Sequence, residues 1–223
     1  MRLSCLGSGS SGNCFVLEAD GQVILLDAGV KFNKIIACKR IKSFKSIAGA
    51  LVTHEHRDHS ASVPELLKAG VEVYSPRNLR AGKKYRIGNL DVLPFKCVHD
   101  VINYGYVIRA AGTVIVYATD TAALPPINGV DAWIVECNYT ERLWSENVAK
   151  AKEGFRYFGR VKESHMGLER LQQYFDGLNK SSKAIILCHL SESGNADAAV
   201  MCEAMTPYAT TVDIATNGKE WNL

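Results

Sequence analysis

The sequence predicts an α/β fold built in layers, with extensive antiparallel pairing. Three observations predict it. Short apolar runs bounded by turn residues recur along the chain. Helical spacings fall between these runs, mostly in the second half, and two pairs of runs are joined by hairpin turns. A chain of 223 residues fits one large domain, taken here as 1–223, and can bury a sizeable core.

In order, the runs are "CFVLEA" from Cys14, "VILLDAG" from Val23, "AGALVTH" from Ala48, "VEVYS" from Val71 and "LDVLPF" from Leu90. They continue with "YGYVIRA" from Tyr104, "TVIVYATD" from Thr113, "DAWIVE" from Asp131, "KAIILCH" from Lys183 and "TTVDIA" from Thr210. Each reads as a strand, and the amino terminus looks like the start of a first one. "DGQ" separates the first pair and Ala111-Gly112 the pair around it, both hairpin signals. Helical patterns lie at Phe32–Ile41, Ser62–Lys68, about Glu141–Tyr157, Gly167–Leu178 and Asn195–Met205. No linker long enough to divide domains interrupts them.

Composition excludes several classes. Hydrophobic residues at 47% and charged residues at 22% are those of an ordinary soluble protein. No run approaches the roughly 18 apolar residues that span a bilayer, and the amino terminus lacks a secretory apolar core. Seven scattered cysteines, without CxxC, suggest neither a disulfide framework nor a thiolate zinc site, so a cytoplasmic location and no membrane partner are expected. The net charge of +3 is small, but Lys31, Lys34, Lys39, Arg40, Lys42 and Lys45 form an acid-free stretch. It serves as a solvated face or as an approach for a polyanion. The sequence does not fix an oligomeric state, and a homodimer is compatible with it.

The chemistry concentrates in "LVTHEHRDHSAS", where His54, His56, Asp58 and His59 follow a strand and precede a helix. Imidazole and carboxylate are the usual ligands of zinc and similar ions. One tetrahedral ion cannot readily use all four, whereas two ions can, given further ligands. His99, Asp120 and His189 each end an apolar run and supply them. Asp27 ends another and is expected to support a ligand histidine through its second ring nitrogen.

These ordered motifs resemble the metallo-β-lactamase superfamily of hydrolases. Within it the chain is most similar to the YycJ/WalJ-type, nuclease-like branch, through "LGSGSSGNCFVLE", "FKCVHD", "YATDT", "VECNY" and "ILCHLSESGN". The resemblance implies a four-layer αββα sandwich with two mixed sheets and a binuclear site at one sheet edge. His54, His56 and His99 would hold one ion, and Asp58, His59 and His189 the other, with Asp120 bridging. Zinc is the default metal, with manganese or iron also suited. Catalysis would rest on Asp58, Asp120 and His165, with Glu136 and Asn138 supporting the site.

Such a site generates an attacking hydroxide and suits phosphodiesters. The implied substrate is DNA or RNA, with cyclic nucleotides or other small phosphodiesters as the first alternative and a thioester or lactone as the second. His165, in "ESHMGLERLQQYF", matches an extra histidine of the phosphodiesterase branches and would protonate the leaving oxygen or contact the phosphate; a helix-start cap is the plainer alternative. The loop "GSGSSGN" with Asn13 could bring donors to an anion or to the metal loop, with Asn13 a candidate substrate contact, or simply connect two strands. "SHMGLERL" departs from the "GHLSN"-like stretch of the branch, which leaves the substrate open. A diiron redox protein is disfavoured by His56, where redox relatives carry glutamate.

Overall fold

A computed structural model describes residues 1–150 and 155–223 of the chain. Thirteen strands among these residues form two mixed sheets. The first half contributes β1 (Arg2–Gly7), β2 (Cys14–Ala19), β3 (Gln22–Leu26), α1 (Phe32–Ile36), β4 (Ile47–Leu51), α2 (Arg57–Ser60), α3 (Val63–Lys68) and β5 (Val73–Tyr74). The middle supplies β6 (Tyr85–Ile87), β7 (Leu90–Lys96), β8 (Tyr104–Ala110), β9 (Thr113–Ala118) and β10 (Ala132–Glu136). Then follow α4 (Glu141–Lys150), α5 (Phe155–Ser164), α6 (Leu168–Asp176), β11 (Ser182–Cys188), α7 (Ala198–Met205), β12 (Ala209–Ile214) and β13 (Glu220–Asn222).

One sheet has the order β13-β1-β2-β3-β4-β5 and the other β12-β11-β10-β9-β8-β7-β6. Alternation within each strand explains the four layers. Phe15, Leu17, Ile24 and Leu26 face Tyr106, Tyr117, Ile134 and Ile186 in a core between the sheets. Their neighbours Val16 and Leu25 pack with Ile35 and Leu66 of α1 and α3. On the far side Trp133 and Val135 meet Leu168, Leu171 and Phe175 of α6 and Met201 of α7. Strands buried on both faces read as continuous apolar runs, which is why the sequence marks them so clearly. Asp197 caps α7 by accepting from Ala199 and Val200 amides at 3.1 and 3.2 Å.

The differences from the sequence-based expectations are local. The helix expected over Phe32–Ile41 stops at Ile36, beyond which the chain turns so that the Arg40 guanidinium reaches Glu220 of β13. The helix expected over Glu141–Tyr157 ends at Lys150 in α4, its 151–154 part lies outside the described residues, and α5 follows as a separate element. The expected strands at Asp27, Asp120 and His189 end one or two residues earlier, because these three residues adopt φ of 59°, 52° and 51°. Positive φ is uncommon outside glycine and breaks the extended ladder.

Parallel pairing carries this fold to its site. β3, β4 and β5 are parallel, as are β9, β10, β11 and β12. Parallel strands present their carboxyl ends at one sheet edge, where ligands gather in open α/β sheets.

Candidate metal centre

All six histidines of the chain converge at that edge. His54 and His59 are 2% and 0% exposed, and Asp120 3%. Two groups of side chains could each hold an ion: His54, His56, His99 and Asp120, and Asp58, His59, Asp120 and His189. Within each, the donor atoms lie within 4.8 Å of one another. Asp120 belongs to both. Its Oδ2 faces His54 Nε2 at 3.9 Å and His99 Nε2 at 3.8 Å, while its Oδ1 faces His59 Nε2 at 3.3 Å and His189 Nδ1 at 2.6 Å. A third group adds Glu136 and His165 to Asp120 and His189.

The outward ring nitrogens decide what the inward ones can do. His59 Nδ1 donates to Asp27 at 2.7 Å, His99 Nδ1 to the Ser164 carbonyl at 3.1 Å, and His54 Nδ1 to the Thr53 hydroxyl at 3.0 Å. A neutral imidazole has one N–H, so these bonds leave the Nε2 lone pairs of His54 and His99, which burial keeps neutral, pointing inward. His54 Nε2 and His99 Nε2 then stand 3.0 and 3.3 Å from His56 Nδ1. Converging lone pairs beside the Asp58 and Asp120 carboxylates repel one another unless cations lie among them, so the residues present fit divalent metal ions.

Charge and burial divide the histidines. Burial, helped by neighbouring His59, pushes His54 down to about 2. Burial opposes charge on His189 too, but the Asp120 and Glu136 carboxylates outweigh it and raise the imidazole to about 10. Asp120, despite its burial, is held well below the usual carboxylate range by His189 and His59. Burial drives the Cys5 and Cys97 thiols up to about 12, so neither offers a thiolate.

Asp27 holds the centre from behind. Its carboxylate accepts from the Thr53 amide at 2.7 Å, from the Thr53 hydroxyl at 3.0 Å, from His59 and from the Tyr117 hydroxyl at 2.6 Å. Glu136 accepts from the Thr121 and Met166 amides at 2.9 and 3.1 Å through Oε2, and from His165 Nδ1 at 2.6 Å through Oε1. Asn138 is 8% exposed and donates to the His189 carbonyl at 2.8 Å. Of the two placements read for Asn13, an anion or the metal loop, its side chain takes the second. It is 1% exposed, binds the Gly9 amide and carbonyl at 2.8 and 3.0 Å, and meets His59 Nε2 at 3.0 Å. It therefore closes the Gly7–Asn13 loop against the centre, and no face of it is left for substrate.

Sequence reading missed Thr53, Tyr117 and Asp100. Tyr117 lies inside an apolar strand and reads as core. Asp100 approaches His99 Nε2 at 3.0 Å and Arg160 at 3.1 Å, and its position directly after His99 was the one signal that pointed to it.

Architecture and site together define a metallo-β-lactamase-fold protein with a histidine and carboxylate cluster that fits divalent metal ions. A model of the metallo-beta-lactamase superfamily matches residues 7–80. The chain is similar to the exodeoxyribonuclease WalJ of Streptococcus pneumoniae (strain D39), 26% identical over 87% of this chain and 83% of that one. It is also 31% identical to the exodeoxyribonuclease YycJ of Bacillus anthracis, over 40% of this chain and 35% of that one. Among solved structures it superposes on the metallo-beta-lactamase fold protein YhfI from Bacillus subtilis with a TM-score of 0.76 and 16% identity, covering 99% of this chain and 98% of that one.

Proposed function

We propose that residues 1–223 form one domain that hydrolyses phosphodiesters of DNA or RNA with two divalent ions, zinc first in preference and manganese or iron as substitutes. The observation that carries this reading is the split carboxylate of Asp120, one oxygen toward His54 and His99 and the other toward His59 and His189. In it His54, His56 and His99 would hold one ion and Asp58, His59 and His189 a second, with Asp120 available to both. Bound ions supply Lewis acidity and lower the pKa of water toward neutrality. Similarity to exodeoxyribonucleases supports nucleic acid as the substrate class. The seven unpaired cysteines suit a reducing, cytoplasmic setting, and no described helix is long and apolar enough to cross a membrane.

His165 acts on the leaving group. Burial opposes its charge, but Glu136 outweighs that and raises it above the usual imidazole value. Its Nδ1 donates to Glu136, and its Nε2 proton is then the one passed to the departing alkoxide. Glu136, fixed by two backbone amides, keeps the ring in that tautomer. Asp27 does the same for His59.

The test is hydrolysis of bis(p-nitrophenyl) phosphate beside a thioester by metal-analysed protein, before and after chelation. Phosphodiester cleavage that chelation abolishes is expected. Thioester cleavage alone would replace this reading with that of a thioesterase.

A further inference from the structure

Two cavities adjoin the centre, and they share no lining residue. One, of about 590 Å³, reaches Asp58 and is lined by Ser10, Ser11, Lys31 and Arg57 among others. Its charged lining is mixed, Lys31 and Arg57 beside Asp58 and Glu65. The other, of about 520 Å³, reaches His54 and differs in kind. Its walls come largely from Val52, Val63, Pro64, Val73, Pro76 and Ile102. At its edge the exposed Glu55 and Arg77 pair at 2.7 Å.

This second cavity is built. Asn78 fixes the turn after β5, its Oδ1 accepting from the Ser75 amide and its Nδ2 donating to the Val73 carbonyl, both at 2.8 Å. The loop carrying His99 is closed by the Cys97 amide on the Asn103 carbonyl at 3.0 Å and by the Val98 amide on the Thr121 hydroxyl at 3.0 Å. That loop nevertheless exposes two large apolar side chains, Ile102 at 74% and Val98 at 52%. Large exposed apolar residues gathered beside a reactive centre mark a binding surface.

We propose that the cavity beside His54 is a nucleobase subsite, taking the base of the nucleotide whose phosphate lies at the metal centre. The inference rests on the phosphodiesterase reading and deepens it. Its volume falls within the roughly 300–1,000 Å³ of small-molecule sites, enough for one nucleoside and not for a stacked duplex. Apolar walls suit the ring faces, while the Glu55 carboxylate and Arg77 guanidinium offer an acceptor and donors to the ring edge. An acyl chain would use the walls but neither polar group. Because the base must leave its stack to enter, an unpaired end is the favoured substrate.

The experiment is calorimetric binding to the full-length, metal-loaded protein of thymidine 5′-monophosphate against 2-deoxyribose 5-phosphate, which lacks the base. Wild type should prefer the nucleotide by about tenfold or more, and Ile102→Ser should narrow that preference to about threefold or less. Ile102 is largely exposed, so the variant should fold, and Arg77→Ala provides a second, independent lesion of the same preference. Equal affinities in wild type, or a preference untouched by both variants, would overturn the subsite. So would a cavity that takes an S-alkyl thioether analogue of a thioester better than the nucleotide. Cleavage of methyl p-nitrophenyl phosphate, which has no base, reports separately on the phosphodiesterase reading. If that ester is cleaved while the nucleotide preference is absent, the subsite alone has failed.

Discussion

His165 and His54 are both largely buried imidazoles, and their surroundings drive them in opposite directions. Glu136 raises the first, while burial beside His59 pushes the second down to about 2. His165→Ala is expected to leave the metal content intact and to slow esters with poor leaving groups by about 10²–10⁴-fold, with p-nitrophenyl esters much less affected. Steady-state kinetics on the two ester types checks it, and an equal effect on both would remove His165 from proton transfer. For His54 the folded value lies below the ordinary one, so the unfolded chain binds the extra proton. Its contribution to stability is complete above about pH 6.5 and is lost as pH falls toward 2. The chelated protein should melt at progressively lower temperature below pH 6.5, with His54→Gln flattening the slope; unchanged melting profiles would contradict the burial argument. At this scale the HxHxDH run and the strand-end residues Asp27, Asp120 and His189 were legible, because charged and imidazole groups at the ends of apolar runs stand out. Thr53 and Tyr117 were not. Their roles arise from hydrogen bonds to Asp27 made across chain segments that spacing does not relate.

The elements bring those residues together through close backbone approach. Gly29, just past β3, packs so tightly on the metal loop that an added Cβ would lie 1.6 Å from the Asp58 carbonyl oxygen and 2.7 Å from the His59 amide nitrogen. Backbone cannot yield as a flexible side chain can. Gly29→Ala is therefore expected to cost about 1–3 kcal/mol, which for a chain of this size lowers Tm by about 2–12 °C. It should also deplete the ion proposed for Asp58 and His59. A thermal melt with metal analysis decides it, and a variant with wild-type Tm and metal content would show that the loop is not pinned at Gly29. The long strands were readable because both of their faces are buried. The three-residue β6 and β13 were not, since "YRI" and "EWN" are too short for alternation and owe their strand state to their partners β7 and β1.

Across the whole molecule, two sheets between helical layers place one histidine- and carboxylate-rich centre at a common edge, with a polar cavity lined by Lys31 and Arg57 on its Asp58 side. Lys31 joins that cavity to the acid-free stretch, where Lys34, Lys39, Lys42 and Lys45 are also exposed. If a strand follows this face, replacing these five lysines by glutamine should weaken single-stranded DNA binding. The log–log salt slope should become shallower by about 0.7 for each phosphate that the variant no longer neutralises. Binding titrations from low to moderate salt measure it, and an unchanged slope would make the stretch a solvated face. The layered class and the two hairpins, β2–β3 and β8–β9, were visible in the sequence. The joining of its two halves at one edge depends on hydrogen bonds such as that from the Tyr106 hydroxyl to the Val52 carbonyl at 2.7 Å, which no local pattern announces.

A pair of ions sharing Asp120 is tested by the metal content of purified wild type and Asp120→Ala, measured by elemental analysis and paired with phosphodiesterase activity. About two divalent ions per chain in wild type, with metal lost and turnover abolished in Asp120→Ala, is the predicted result. Full activity with a single ion, or an Asp120→Ala protein that keeps both ions and its turnover, would contradict it.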